Sequence, residues 1–270
     1  LELPFTLAHP AAVLPLRKRL VFSALVIGAM APDFHYFLGL PVDARTSHSL
    51  AGAFYFCLPL ALAALWLFHR VMKMPLIGLA PEWYQARLVR FAVPFRFGPG
   101  KRFALVLLSL LAGTFTHLIW DSFTHNRGWV VKHFPVLRTV VLQQYWGGRP
   151  IYVLLQHGST LAGMAILVIA YRRWAHGAIP QALSPELRLR STVKLAVVAG
   201  IGIGAFVMAG LYAFLGYGDA ARWTIPVAHA GISFMTLTFV GLLAFSVSWH
   251  RGFRPLAARD VPETELSMRR

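Results

Sequence analysis

The chain has one cysteine, Cys57, so no disulfide framework and no thiolate metal cluster is open to it. Acidic residues are also scarce: 10 Asp and Glu stand among 270 residues, against 26 Lys and Arg. All charged residues together make up 13% of the chain, about half the share of a soluble domain. Nucleophile elbow, Walker sequence, dinucleotide fingerprint, internal repeat and low-complexity tract are all missing. What remains is 57% apolar, with a mean hydropathy of +0.59. A soluble fold of this size cannot hide so much apolar surface, and disorder needs far less of it.

The expected class is therefore all-α: a polytopic membrane helical bundle forming one membrane-embedded domain over 1–270. Five stretches are long enough to span a bilayer: Leu50 to Phe68, Phe103 to Trp120, Ile151 to Tyr171, Leu195 to Leu215 and Thr224 to Trp249. Gly200, Gly202, Gly204 and Gly210 give the fourth a small-residue face suited to close helix packing. A sixth apolar run, Leu20 to Ala31, is too short to span alone. With Arg17-Lys18-Arg19 before it and Ala29-Met30-Ala31 at its end, it imitates a signal peptide, but Pro32 would follow the cut directly. It reads instead as half of an N-terminal hairpin, Phe5 to Leu16 and Leu20 to Ala31, which would bring His9 and Asp33 to a similar height.

The net charge of +16 belongs to the connections between spans. Residues 69–102, 172–194 and 250–270 carry 17 Lys or Arg, and 32–49, 121–150 and 216–223 carry 6. The positive-inside rule then makes 69–102 a cytoplasmic interfacial loop and 251–270 a cytoplasmic tail, with 1–49 and 126–150 leading to the outer side. A multi-pass membrane location follows, with membrane lipids and anionic headgroups as partners. No basic helix alternates with exposed aromatics, so no nucleic-acid partner is expected.

The polar residues that remain near lipid carry the chemistry. In His117-Leu-Ile-Trp-Asp121-Ser-Phe-Thr-His125 the i, i+4, i+8 spacing sets two imidazoles and a carboxylate along one helix face. Asn126-Arg127-Gly128 is expected to end that helix. His125 reads equally well as a ligand or as a boundary residue facing water. His9, Asp33 and His48 lie on the same outer side, so three His and two Asp can converge from separate segments. Imidazole with carboxylate suits zinc first, with manganese or iron open. The donors exceed the four of a structural zinc site, which leaves two metals, or one metal with Asp33 or Asp121 as catalytic base. His157 and His229, each inside a span, read as hydrogen-bond partners behind the ligands or as interhelical contacts. Arg127 and Arg149 in the outer loop suit an anionic headgroup, and the tryptophans there suit either a lid or an interfacial belt.

Four motifs in order, Pro4-Phe5-Thr6-Leu7-Ala8-His9-Pro10, Met30-Ala31-Pro32-Asp33-Phe34, Ser47-His48-Ser49-Leu50 and His117 to His125, resemble a bacterial membrane family described as a domain of unknown function. That family is similar to inner-membrane metal-dependent hydrolases, and the His-x-x-x-Asp is similar to one motif of zinc-dependent phospholipase C. The resemblance implies that His9, Asp33, His48, His117 and Asp121 bind metal. Ser47 stands where the hydrolases tend to have Thr, and the further His-x-x-x-Glu of the phospholipase has no counterpart. The expected function is a metal-dependent hydrolase of a phospholipid or lipid-linked phosphoester at the outer leaflet. The alternatives are a transporter or ion-binding protein using the same cluster, and a structural protein with a metal tie.

Overall fold

A computed structural model describes residues 6–142, 148–183, 185–217 and 224–253. Among these residues the chain is all-α, with five helical stretches long and apolar enough to cross a membrane: Leu50–Leu79, Gly100–His133, Ile151–Gly177, Pro185–Gly216 and Pro226–Gly252. The tail from residue 254, and Gln143, Gln144 and Trp146 of the 126–150 loop, lie outside the described residues. The chain divides into two compact units, one of residues 1–65 and 96–174, the other of 66–95 and 175–270.

The first unit begins with a 3-10 helix, Thr6–Lys18, followed by α1, Phe22–Gly28. Pro10 and Pro15 lie inside the first and remove two backbone donors, which explains a 3-10 segment where an α-helix was expected. Val13 and Leu16 pack on Leu25 and Ala29 to close the hairpin. The Ala31–Asp33 turn returns the chain, and the Thr6 hydroxyl donates to Asp33 Oδ2. The helix α2, Leu50–Leu79, starts on Ser49, whose Oγ accepts from Gly52 N at 2.8 Å. In α3, Gly100–Thr124, buried positions recur every three or four residues: Val106, Leu110, Gly113, His117, Asp121 and Thr124. The α4 helix, Ile151–Gly177, completes the unit.

Glycine sets the approach of α1 to α3. A methyl group on Gly113 would stand 2.2 Å from Leu25 O, and one on Gly28 would stand 2.1 Å from Leu110 O. The two backbones touch, and that contact brings the end of α1 against His117.

In the second unit α2 continues past Phe68 to Leu79, so the segment from 69 is helix before it is loop. Pro75 lies inside this extension and cannot donate to Val71 O, four residues back. His250 Nε2 donates to that carbonyl at 2.9 Å, which keeps the freed group satisfied. Short helices Glu82–Leu88 and Val89–Phe91 follow. The helices α5, Ser191–Tyr217, and α6, Thr224–Ser248, pack along their length. Here the expected glycine face is corrected: Gly200, Gly202, Gly204 and Gly210 have no described atom within 4 Å of an added Cβ. Alanines at i, i+4 and i+8, Ala205, Ala209 and Ala213, are the buried stripe instead. Phe206, Phe214 and Leu195 point outward, about 70% exposed, as lipid-facing residues do.

Gly113→Ala should therefore lower the unfolding temperature in detergent, by the order of 1–3 kcal/mol of overpacking or more. Gly200→Ala, on an open face, should leave it unchanged or slightly raised, since alanine is the better helix former. Equal effects of the two substitutions would contradict the packing described.

Candidate metal centre

Three imidazoles reach one point because each is held at its far nitrogen by a backbone carbonyl. The α1 helix ends with carbonyls that have no intrahelical donor. Ala29 O takes His117 Nδ1–H at 2.8 Å, and Gly28 O takes the Thr114 hydroxyl at 3.2 Å. His48 follows the single turn Ala44–Ser47 and donates from Nδ1 to Ala44 O at 3.0 Å. His9, in the 3-10 helix, places Nδ1 3.3 Å from Thr6 O. When these rings are neutral, the proton belongs on Nδ1 and the lone pair on Nε2, which faces the interior. His9 stacks on His117 with ring centres 3.9 Å apart, and His48 meets His117 edge-on at 5.3 Å.

The two carboxylates lie among these nitrogens. Asp121 Oδ1 is 3.2 Å from His9 Nε2, and its Oδ2 is 3.2 Å from His117 Nε2 and 3.3 Å from His48 Nε2. Asp33 Oδ1 is 3.3 Å from His48 Nε2 and 3.7 Å from His117 Nε2. Asp33 and His117 are fully buried, and Asp121 and His9 nearly so. Two of these atoms, Asp33 Oδ1 and His117 Nε2, have no well-aligned hydrogen-bond partner despite their neighbours. Buried polar atoms are rarely left so.

A cation removes the anomaly. Four ligands at 2.0–2.1 Å around a tetrahedral ion are separated by about 3.3–3.4 Å, close to most of the N···O spacings observed. Two triads, His9–His117–Asp121 and Asp33–His48–His117, have their ligand atoms within 4.8 Å of one another. The residues present fit a divalent ion of the zinc, manganese or iron type, and these buried groups can hold one.

The other expected site residues fall differently. The α3 helix stops at Thr124, and His125 is its cap with extended backbone, φ −121° and ψ 142°. His125 belongs to neither triad among the described residues; its Nδ1 lies 3.3 Å from Asp121 Oδ1 and its Nε2 3.4 Å from Gln156 Nε2. Gly128 allows the chain to fold back, since an added Cβ would meet Ser122 O at 2.4 Å. Its φ is −60°, and the helix has already stopped at Thr124, just ahead of the expected Asn126-Arg127-Gly128. His157 is exposed, and Gln156 takes the inward position beside it. His229 is part-buried on α6, in the second unit. Arg127 and Arg149 are exposed at either end of the 126–150 segment, whose strands β1, Val140–Val141, and β2, Arg149–Pro150, pair antiparallel. Three contributors escaped the sequence reading: Thr6, Gln156 and His35. His35 is buried, donates from Nδ1 to Pro32 O at 2.9 Å and leaves Nε2 without a partner. Its place two residues after Asp33 was the available signal.

Electrostatics outside the spans follows from this cluster. Burial pushes the Asp33 carboxyl up, but His117 and His48 outweigh it and hold it below its ordinary range. Burial pushes His48 down, and the Asp121 and Asp33 carboxylates outweigh that, raising it to about 10. Burial keeps His35 neutral below its ordinary value. A cation needs the free lone pair of His48, so binding at neutral pH displaces a proton. Affinity for zinc should rise as pH rises toward 10, about tenfold per unit for one displaced proton. Calorimetric titration in two buffers of different ionisation enthalpy measures that proton directly, and a pH-independent affinity would contradict the arrangement.

Searches of curated proteins and of solved structures give no match to this chain. The family described as a domain of unknown function (DUF4184) matches residues 3–247, a range that holds every donor named above, and the chain belongs to that family.

Proposed function

We propose that the protein is a membrane-embedded hydrolase that uses one divalent cation, zinc by preference, to cleave a phospholipid or lipid-linked phosphoester at the outer leaflet. The observation that carries this reading is the pair of buried, unpartnered ligand atoms, Asp33 Oδ1 and His117 Nε2, among three imidazoles whose Nδ1 atoms are already committed. Both triads contain His117 Nε2, which has one lone pair, so a single ion drawing donors from both is favoured over two ions. A divalent cation there supplies an activated water at neutral pH and polarises a phosphoryl oxygen.

The chain's own groups supply the rest. Asp33 keeps one oxygen on the Thr6 hydroxyl and turns the other toward the centre, and whichever of Asp33 and Asp121 does not bind the cation would accept the proton from water. The carboxylate of Asp121 is oriented on both sides, by His9 and His125 at Oδ1 and by His48 and His117 at Oδ2. His48 and His125 are the least buried members, with about a fifth of each side chain exposed, so access lies on their side. Arg127, two residues beyond His125, supplies charge suited to an anionic headgroup. The loop counts of basic residues support an outer-side opening and a cytoplasmic C-terminus in a bacterial inner membrane. A purely structural ion is the second reading, favoured by the complete burial of His117 and Asp33.

Elemental analysis of detergent-purified protein should find one zinc, manganese or iron per chain, and His117→Ala and Asp121→Ala should lose it. The same wild-type protein should release phosphorylated headgroup from mixed phospholipid vesicles, and both variants should fall by at least about a hundredfold. Metal without turnover across lipid classes would favour the structural ion. Normal metal content in both variants would overturn the site itself.

A further inference from the structure

The 3-10 helix and α4 approach one another at Gly163 within the first unit. Gly163 packs on Ala8 and Ala11, where an added Cβ would meet Ala8 O at 3.0 Å and Ala11 Cβ at 3.6 Å. One turn further along α4, Ile166 faces Ala11, Leu14, Pro15, Arg17 and Lys18 across a cavity of about 540 Å³. Later residues of one helix meet later residues of the other, so the two run parallel. At about 2 Å per residue, the basic end of the 3-10 helix lies roughly 16 Å along its axis from His9. The cavity is thus separate from the metal centre, and none of its lining residues belongs to that cluster.

We propose that this cavity is a binding site for an anionic phospholipid, with an acyl chain against Leu14, Pro15 and Ile166 and the phosphate at Arg17 and Lys18. The walls are apolar and the groove opens on a helix surface that faces lipid: Ile166 is 50% exposed, and its neighbours Val168 and Ile169 are similarly bare. Arg17, Lys18 and Arg19 are exposed and consecutive, and none pairs with a carboxylate among the described residues. Parallel helices bring a second basic pair to the same end. Arg172 and Arg173 follow Ile166 by six and seven residues, about 9–10 Å along α4, and are also exposed. Five cations with no counter-charge among the described residues, beside lipid-facing apolar walls, select for a negative headgroup over a zwitterionic one. The proposal is independent of any reaction at the metal centre.

Native mass spectrometry of the full chain in detergent tests it, with phosphatidylglycerol and phosphatidylcholine of equal chain length offered together. Wild type should retain phosphatidylglycerol preferentially. At about fivefold per cation, Arg17→Gln with Lys18→Gln should cut that preference by about twenty-five-fold. Ile166→Trp, which fills the cavity from an exposed position, should reduce retention of both lipids and leave metal content unchanged. Inorganic phosphate should not compete, because it lacks the chain that the apolar walls hold. Equal retention of the two lipids by wild type, an unaltered preference in the double variant, or displacement by phosphate would each overturn the proposal.

Discussion

The arrangement of the centre depends on where three imidazole protons are held. Backbone carbonyls of Ala29, Ala44 and Thr6 engage the Nδ1 atoms of His117, His48 and His9, and so settle which nitrogen of each ring faces inward. Ala29 O is free because a short helix ends there, whereas Ala44 O also accepts the His48 N–H and the Ser47 hydroxyl. At Ala29 the fold uses a carbonyl that would be orphaned in an apolar environment as the outer support of a polar site. Moving α1 by a few tenths of an ångström would loosen His117, which is why Gly28 and Gly113, far from any chemistry, belong to the same argument.

Much of this was legible in the residues. The i, i+4 pair His117 and Asp121 needs only helical periodicity, and the face that carries it is buried. His9, Asp33 and His48 are named by residue type and by scarcity of acidic groups, though their convergence depends on the turn at Ala31–Asp33 and the cap at Ser49. Helix termini were less readable. The expected limit of α2 at Phe68 came from basic and proline residues just beyond, but Pro75 is tolerated there because His250 satisfies the Val71 carbonyl it frees, from 179 positions away in sequence. His157 and Gln156 are adjacent, and rotation about the α4 axis alone decides which faces inward. The glycines of α5 suggested a packing face, and the alanines five residues out of step with Gly200 formed it.

Polar groups in the second unit show the same economy on a smaller scale. Lys194 Nζ donates to Ala80 O and Gln85 Oε1, and Gln85 Nε2 donates to Leu187 O, which pins the connections around Trp249, Ile77 and Phe245. No cluster of three metal-binding side chains occurs there among the described residues. The potential ligands and the access route named above all come from one packing unit, 1–65 with 96–174.

The bond from His117 to Ala29 has an implication for heredity as well as for chemistry. A mutation that deletes the ring removes a donor from a helix end lodged in an apolar interior, so its cost falls on the fold itself. Descendants would be expected to keep a donor at position 117, an amide for instance, whether or not they hold a metal ion.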